Sequence, residues 1–269
     1  MKVPRILHYP GSKWSMADWI ISHMSEHTTY LETHFGSGAV LFKKPASVIE
    51  TVNDLDGNVV NLFRVIRECP EELARSIYWT PYSREEYYET YQDVGGGGEI
   101  ERARRFLVRM WQAIGAKTSD RTGWRSDISV DTSYKPGEWT KLPAKLLTVA
   151  ERLKSVQIEN QSAEDLLKRY ARKDVLVYCD PPYLLSTRSK RLYKHEMMGE
   201  EEHSRLLEQL DNHPGPVLLS GYAHPLYDDR LEHWRRETKI VKAESGRSRT
   251  EVLWINPIAA EKVGQLQLF

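Results

Sequence analysis

The sequence predicts an α/β protein: a mainly parallel sheet with crossover helices, interrupted by a mostly helical insertion. Three observations carry this expectation. Short apolar runs alternate with helical patterns up to residue 68 and again from 143, as strands linked by crossover helices do. Between them, residues 69–142 break the alternation with helical segments, a tetraglycine (Gly95–Gly98) and a long polar run. Late in the chain, ETKIVKA and TEVLWINP read as two further strands.

Each element has a local reason. Residues 14–27 read as a short helix. TYLETHFGSGAVLF is strand, glycine-bearing turn and helix, and ASVIETVND is a second strand. GNVVNLFRVIREC places Val60, Phe63 and Ile66 at helical spacing. Helical stretches follow over 71–78, 83–92 and 101–114. The polar run TSDRTGWRSDISVDTSYKPGEWTK lacks obvious structure, which in a compact domain points to function or disorder. Then come a helix at 143–154, strand SVQIEN, helix SAEDLLKRYA, strand DVLVYC, a helix at 200–211 and strand PVLLSGY. No internal repeat is visible.

A chain of 269 residues with 40% hydrophobic content suits one large domain carrying an insertion. Its 38 basic and 38 acidic side chains cancel, which neither announces nor excludes a polyanionic partner, because binding follows local basic clusters. Two cysteines, Cys69 and Cys179, form no disulfide framework. The N-terminus has no signal-peptide core and no run reaches membrane-spanning length, so a cytoplasmic protein is expected, in a bacterial or phage-infected cell.

Several stretches carry chemistry. HFGSGAV (34–40) opens a helix after a strand, where glycines admit a ligand close to the backbone. It lacks the third glycine of the dinucleotide fingerprint. Asp54 ends the second strand, where a carboxylate can accept hydrogen bonds from both hydroxyls of a ribose, although taken alone a solvated turn carboxylate is the leading explanation. The calcium-loop likeness of Asp54–Asn58 fails, since Val65 stands where a bidentate Glu belongs. HMSEH (23–27) matches a zinc-peptidase pattern but has no third ligand, so no metal is expected. In VLVYCDPPYLL an apolar strand stops at Asp180-Pro181-Pro182-Tyr183. If this corner and the glycine turn meet at a topological switch point, they face each other across one crevice. Proline fixes φ, so the Asp180 carboxylate and Pro181 carbonyl stand in a set relation, able to hold both hydrogens of one amino group. Tyr183 adds a flat face for stacking on a planar base.

In the order YPGSKW, ETHFGSG, ND, NQSAED, YCDPPY, LLSGY and TEVLWINP, the chain resembles the Dam-like (D12 class) DNA adenine-N6 methyltransferases of the α arrangement. The resemblance spans nearly the whole chain. It implies a class I S-adenosylmethionine-dependent methyltransferase fold, a Rossmann-like seven-stranded sheet formed by 1–68 and 143–269, with 69–142 as the inserted target-recognition region. It places Tyr9 and Lys13 against S-adenosylmethionine, Lys13 near the methionine carboxylate. Gly36 and Gly38 would admit the methionine part, Asp54 would hold the ribose and Asp165 would lie near the adenine. Gly11, Glu32, Phe35 and Asp180 belong to the same cofactor site. Asp180, Pro181, Pro182 and Tyr183 form the catalytic corner, which receives an adenine flipped from duplex DNA.

Two departures stand out. His34 replaces the family's usual phenylalanine, and Ser12 stands where glycine is common. Basic residues expected on DNA are Arg188, Lys190, Arg191 and Lys194 after the corner, and Arg109, Lys117, Arg121 and Arg125 near Trp124 in the insertion. Alternatives remain at this stage: an amino-methyltransferase acting on RNA adenine, cytosine N4 or a protein amide, or a non-catalytic DNA-binding homologue. The chain fits either an orphan enzyme or the partner of a cognate restriction endonuclease that acts separately.

Overall fold

A computed structural model describes residues 3–92, 97–128, 135–188, 190–242 and 248–266. In chain order the elements are α1 (Ala17–Ile21), β1 (Thr29–Glu32), α2 (Ala39–Lys43), β2 (Ile49–Asn53), α3 (Gly57–Glu68), α4 (Pro70–Tyr78), α5 (Arg84–Glu89) and α6 (Gly98–Gln112). There follow α7 (Lys135–Trp139), α8 (Leu142–Leu153), β3 (Val156–Glu159), α9 (Ala163–Arg169), β4 (Val175–Cys179) and α10 (Glu200–Asp211). The chain closes with β5 (Val217–Gly221), α11 (Pro225–Arg230), β6 (Arg235–Lys242), β7 (Ser248–Ile255) and α12 (Pro257–Leu266).

The seven strands form one sheet in the order β3-β2-β1-β4-β5-β7-β6. All neighbours are parallel except β7, which runs antiparallel to both β5 and β6. This is the class I methyltransferase fold. The central strands β1 and β4 are buried along their whole length, as helices on both faces of a parallel sheet require. Caps set the helix starts: Asp56 accepts from Asn58 N–H at α3, Ser83 from Glu86 N–H at α5, and Pro70 opens α4.

The first helix is shorter than the sequence pattern predicts, ending at Ile21 rather than 27. His23 is tied back to the Trp19 carbonyl and His27 to the Ser25 carbonyl and Ser47 hydroxyl, so the two histidines share no helical face. Among the described residues no group of three or more potential ligands gathers for a metal. None of their helices is long and apolar enough to cross a membrane.

Helices α4, α6 and α7 of the insertion share a hydrophobic cluster with α3 and α8, in which Leu73, Ile77, Phe106, Trp111 and Trp139 join Phe63, Leu146 and Val149. Within the polar run, Trp124 forms an antiparallel bridge with Ala113. Gly95 and Gly96 of the tetraglycine, residues 129–134 of the polar run and Ser189 lie outside the described residues.

Candidate active site

Strands β1 and β4 lie side by side with Glu32 opposite Tyr178, and the sheet extends to β2 on one flank and β5 on the other. Strand order reverses at this pair, so two loops diverge from its carboxyl end and leave a crevice. The Thr33–Gly38 bend and the Asp180 corner therefore open on the same side. Residues 33–37 of the bend and Asp180 and Pro182 of the corner line one cavity of ≈ 420 Å³, together with Tyr9, Lys13, Asp54 and Tyr193, whereas Pro181 and Tyr183 are not among its lining residues. Behind them, buried Asn53 ties three strand ends together: its amide donates to the Thr33 and Gln161 carbonyls and its oxygen accepts from Gln161 N–H.

The N-terminal segment packs onto the bend. Gly36 (φ 49°) faces the Tyr9 ring, where a Cβ would lie 3.0 Å from two ring carbons. Ser12, the departure from the family's glycine, bonds its hydroxyl to that of Ser37 at 2.7 Å. Gly38 does not serve the cavity. Its φ is +69° and a Cβ would fall 2.5 Å from Phe42 and 2.6 Å from Phe35, so core packing and backbone conformation demand the glycine. Gly38→Ala should therefore destabilise the fold by about 1–3 kcal/mol. Thermal unfolding measures this, and the affinity of the folded fraction for S-adenosylmethionine should stay within about twofold.

The Asp180 corner is a buried charge network. Lys13 Nζ lies 3.0 Å from Asp180 Oδ1 and 3.0 Å from the Gly11 carbonyl, and sits 4.8 Å from the centre of the Tyr183 ring. The Tyr183 hydroxyl reaches Asp180 Oδ1 at 3.2 Å and Glu251 Oε2 at 2.8 Å. Both Asp180 contacts use Oδ1, which leaves Oδ2 for a ligand among the described residues. Burial pushes the Asp180 carboxyl up, Lys13 pulls it down and Glu251 pushes it up again, with a net rise. Burial would lower Lys13, but Asp180 and Glu251 outweigh it and keep it charged. Glu32, at the end of β1, is pushed up to about 8 mainly by burial, opposed by the Tyr30 hydroxyl bond, and so holds its proton at pH 7. Burial takes His34 down to about 4 and the Cys179 thiol up to about 12. A neutral imidazole thus stands where the family has a phenylalanine, and Cys179 is an inert thiol.

The other half of the cavity offers acceptors. Asp54 takes Gly36 N–H on Oδ2 at 2.8 Å and Asp56 N–H on Oδ1 at 2.9 Å. Burial raises its carboxyl to about 6 against those two bonds. Asp56 is 3% exposed, lines the cavity, and its Oδ2 has no hydrogen-bond partner among the described residues. Such an orphaned acceptor calls for a donor from a ligand. Asp165, expected near the cofactor's adenine, is exposed and outside the cavity lining. Its carboxylate accepts from the Ser162 hydroxyl at 2.7 Å while its own N–H donates to Ser162 Oγ, the N-cap of α9. Ser162, Ala163 and Glu164 line the cavity in its place.

The basic residues divide into two groups. Lys190, Arg191 and Lys194 are exposed, and Thr118, next to Lys117, docks against their loop: Thr118 N–H donates to the Leu192 carbonyl at 2.9 Å and Lys194 N–H to Thr118 Oγ1 at 3.0 Å. Thr118 and Lys194 also line the cavity, so two basic segments remote in sequence meet at its mouth. Arg121 is exposed over the Tyr88 ring. The others are engaged elsewhere. Arg188 is buried in a bidentate pair with Glu196 and donates to the Tyr183 carbonyl at 2.7 Å. Arg109 is half-buried against Tyr91, Arg125 pairs with Asp127, and Trp124 donates to Gln112 under Arg84.

Sequence reasoning passed over Glu251, Asn53, Asp56 and Tyr193. Tyr193 has its hydroxyl 3.3 Å from the Pro10 carbonyl, where a Cβ on Gly11 (φ 70°) would collide with it. Only Asn53 and Asp56 carried a signal, as neighbours of Asp54 in one strand-end turn.

Comparison with known proteins bears on the family of the chain. A family model described as D12 class N6 adenine-specific DNA methyltransferase matches residues 9–248. The type II methyltransferase M1.LlaDCHI of Lactococcus lactis subsp. cremoris is 26% identical over 258 residues, covering 89% of this chain and 87% of that protein. A DNA adenine methylase of Salmonella typhi is 23% identical over 225 residues, 80% of each chain. A solved SAM dependent methyltransferase from Agrobacterium tumefaciens shares a TM-score of 0.41 and 10% identity over 90% of this chain and 60% of that one, a likeness too loose to argue from.

Proposed function

The chain belongs to the D12 class of N6 adenine-specific DNA methyltransferases, and on that premise we propose how its own residues carry out the reaction on a flipped adenine in duplex DNA. The enzyme is an adenine-specific DNA methyltransferase. One observation supports the detailed reading above all: the glycine bend and, from the Asp-Pro-Pro-Tyr corner, Asp180 and Pro182 line a single cavity at the switch point of the sheet.

S-adenosylmethionine, when bound, supplies an electrophilic methyl group. The residues present fit it: Asp54 and the orphaned Asp56 Oδ2 accept hydrogen bonds, while Gly36 keeps the bend open beside Tyr9. Lys13 is already paired with Asp180, so its expected service to a cofactor carboxylate would be shared with that pair. The adenine amine is a poor nucleophile because its lone pair is delocalised into the ring. Asp180 Oδ2 and the Pro181 carbonyl would accept its two hydrogens, hold the nitrogen toward tetrahedral geometry and stabilise its developing positive charge. Pro182 and Pro181 keep the corner rigid, and alignment of the reacting groups supplies the rest. The Tyr183 ring offers the stacking face. Lys117, Lys190, Arg191 and Lys194 at the mouth, with Arg121, would hold phosphates.

Expression of the chain in a cytoplasm free of DNA methylation, followed by modified-base sequencing, tests the reading. N6-methyladenine at one short recurring sequence is the expected result. Genomes without the modified base, from cells that contain folded protein, would overturn it.

A further inference from the structure

Strand β7 brings a carboxylate to the corner that the reading above leaves without a role. Glu251 is 7% exposed and lies opposite Lys239 in the antiparallel β6–β7 register. It shares a face of β7 with Leu253 and Ile255, at the end of the strand nearest the carboxyl edge of the parallel strands, since its neighbour Val252 pairs with Gly221 at the end of β5. From there it takes the shorter of the two Tyr183 hydroxyl bonds, 2.8 Å against 3.2 Å to Asp180. The phenol has a single proton, so the shorter contact marks Glu251 as the main acceptor. The ring is also gripped on its other contacts, by Tyr222 edge-on at 4.6 Å and Lys13 over its centre.

We propose that Glu251 is a positioning residue for methyl transfer, acting through the Tyr183 hydroxyl to fix the stacking ring and adding negative charge beside Asp180. The inference rests on the adenine-methylation reading. In the resting site Lys13 faces two carboxylates, Asp180 and Glu251. The second carboxylate beside Asp180 favours an amine becoming positive there. The groups facing Glu251 are Lys13 from the N-terminal segment, Tyr178, Asp180 and Tyr183 from β4 and its corner, and Lys239 from β6. Arg249 on β7 itself is turned to the Tyr222 hydroxyl at 3.0 Å.

The test uses the full chain, enzyme in excess over sites, and methylation-free genomic DNA, scoring the rate of a single round of methyl incorporation against pH. Glu251→Gln keeps an acceptor for the phenol and removes the charge. Its plateau rate should fall roughly 10- to 100-fold, with affinity for S-adenosylmethionine within threefold of wild type. The sign of the pH effect is fixed by the network: Glu251 helps raise the Asp180 carboxyl, so removing its charge lets Asp180 ionise at lower pH. The acid limb of the rate profile should therefore move down, which mere loosening of the fold would not produce. Tyr183→Phe, which frees the ring, should also slow the reaction, and because Glu251→Gln removes the charge but keeps an acceptor, the double variant should be slower than either single one. A Glu251→Gln enzyme at wild-type rate, an acid limb unmoved or displaced upward, or an unimpaired Tyr183→Phe would each overturn the inference while the wild-type enzyme still methylates adenine. If Glu251→Gln does not fold, Tyr183→Phe alone decides. A wild-type enzyme that leaves adenine unmodified removes the reading beneath it as well.

Discussion

Asp180→Ala is expected to lower methyl transfer by about 10³-fold or more while DNA affinity stays within a few-fold, because in the proposed reaction the lost carboxylate would touch the reacting nitrogen rather than the duplex backbone. The cavity explains the size of the effect. Asp180 is the one carboxylate in the lining that joins Lys13 and Tyr183 on one oxygen and leaves the other for the amine. Its removal also strips Lys13, whose side chain is 7% exposed, of its nearest counter-ion. Glu251 remains in the network, which should keep the ammonium buried and the fold intact. Methyl incorporation and DNA retention on the same preparation separate the two outcomes, with thermal unfolding as the control. Turnover at the wild-type level would end the assignment. Asp180→Asn retains acceptor geometry without charge and should fall between, nearer to alanine.

The second large effect concerns a residue that the sequence placed on DNA. Arg188→Ala should cost about 3–5 kcal/mol of stability, because it leaves Glu196 as an unpaired buried carboxylate. The two side chains are 6% and 5% exposed. Glu196 also accepts Leu192 N–H at 2.7 Å and Tyr193 N–H at 3.0 Å, while Arg188 holds the Tyr183 carbonyl. One ion pair thus fastens the Asp180 corner to the loop that carries Tyr193 over Gly11. Its loss should lower the melting temperature by roughly 10 °C and disorder that loop. If Arg188 were instead a phosphate contact, the variant would melt like wild type and reduce the salt dependence of DNA binding by about one counter-ion. Replacing Glu196 as well, by an apolar residue, should recover part of the loss, since no lone charge then remains buried.

Burial decides where the sequence reading held and where it failed. Apolar runs such as VLVYC are legible because only a strand covered on both faces tolerates them, and β4 lies there, buried throughout. Helix α6 was legible by its period and α5 by its cap. The turn chemistry of α9 was also written in the sequence: Ser162 and Asp165 are three apart, which lets Ser162 cap the helix whatever lies nearby. The resemblance drew Asp165 toward the cofactor, and the local bond overrode it. Arg188 and Lys190 are two residues apart in one basic run, yet one is sealed in a salt bridge and the other faces solvent. Charge patterning could not separate them, because the partner, Glu196, becomes a partner only when the loop closes.

By itself the sequence determined the alternation of strands and helices, the break in it, and the two chemical corners, since period, turn residues and a rigid Asp-Pro-Pro-Tyr are local properties of the chain. Only the tertiary structure decided that β1 and β4 are neighbours, that Thr118 docks beside Leu192, and that β7 carries Glu251 to Tyr183. These contacts join residues up to 74 positions apart in the last two cases. No local pattern encodes them, because strand order and the burial of a charge are settled by the packing of the whole sheet.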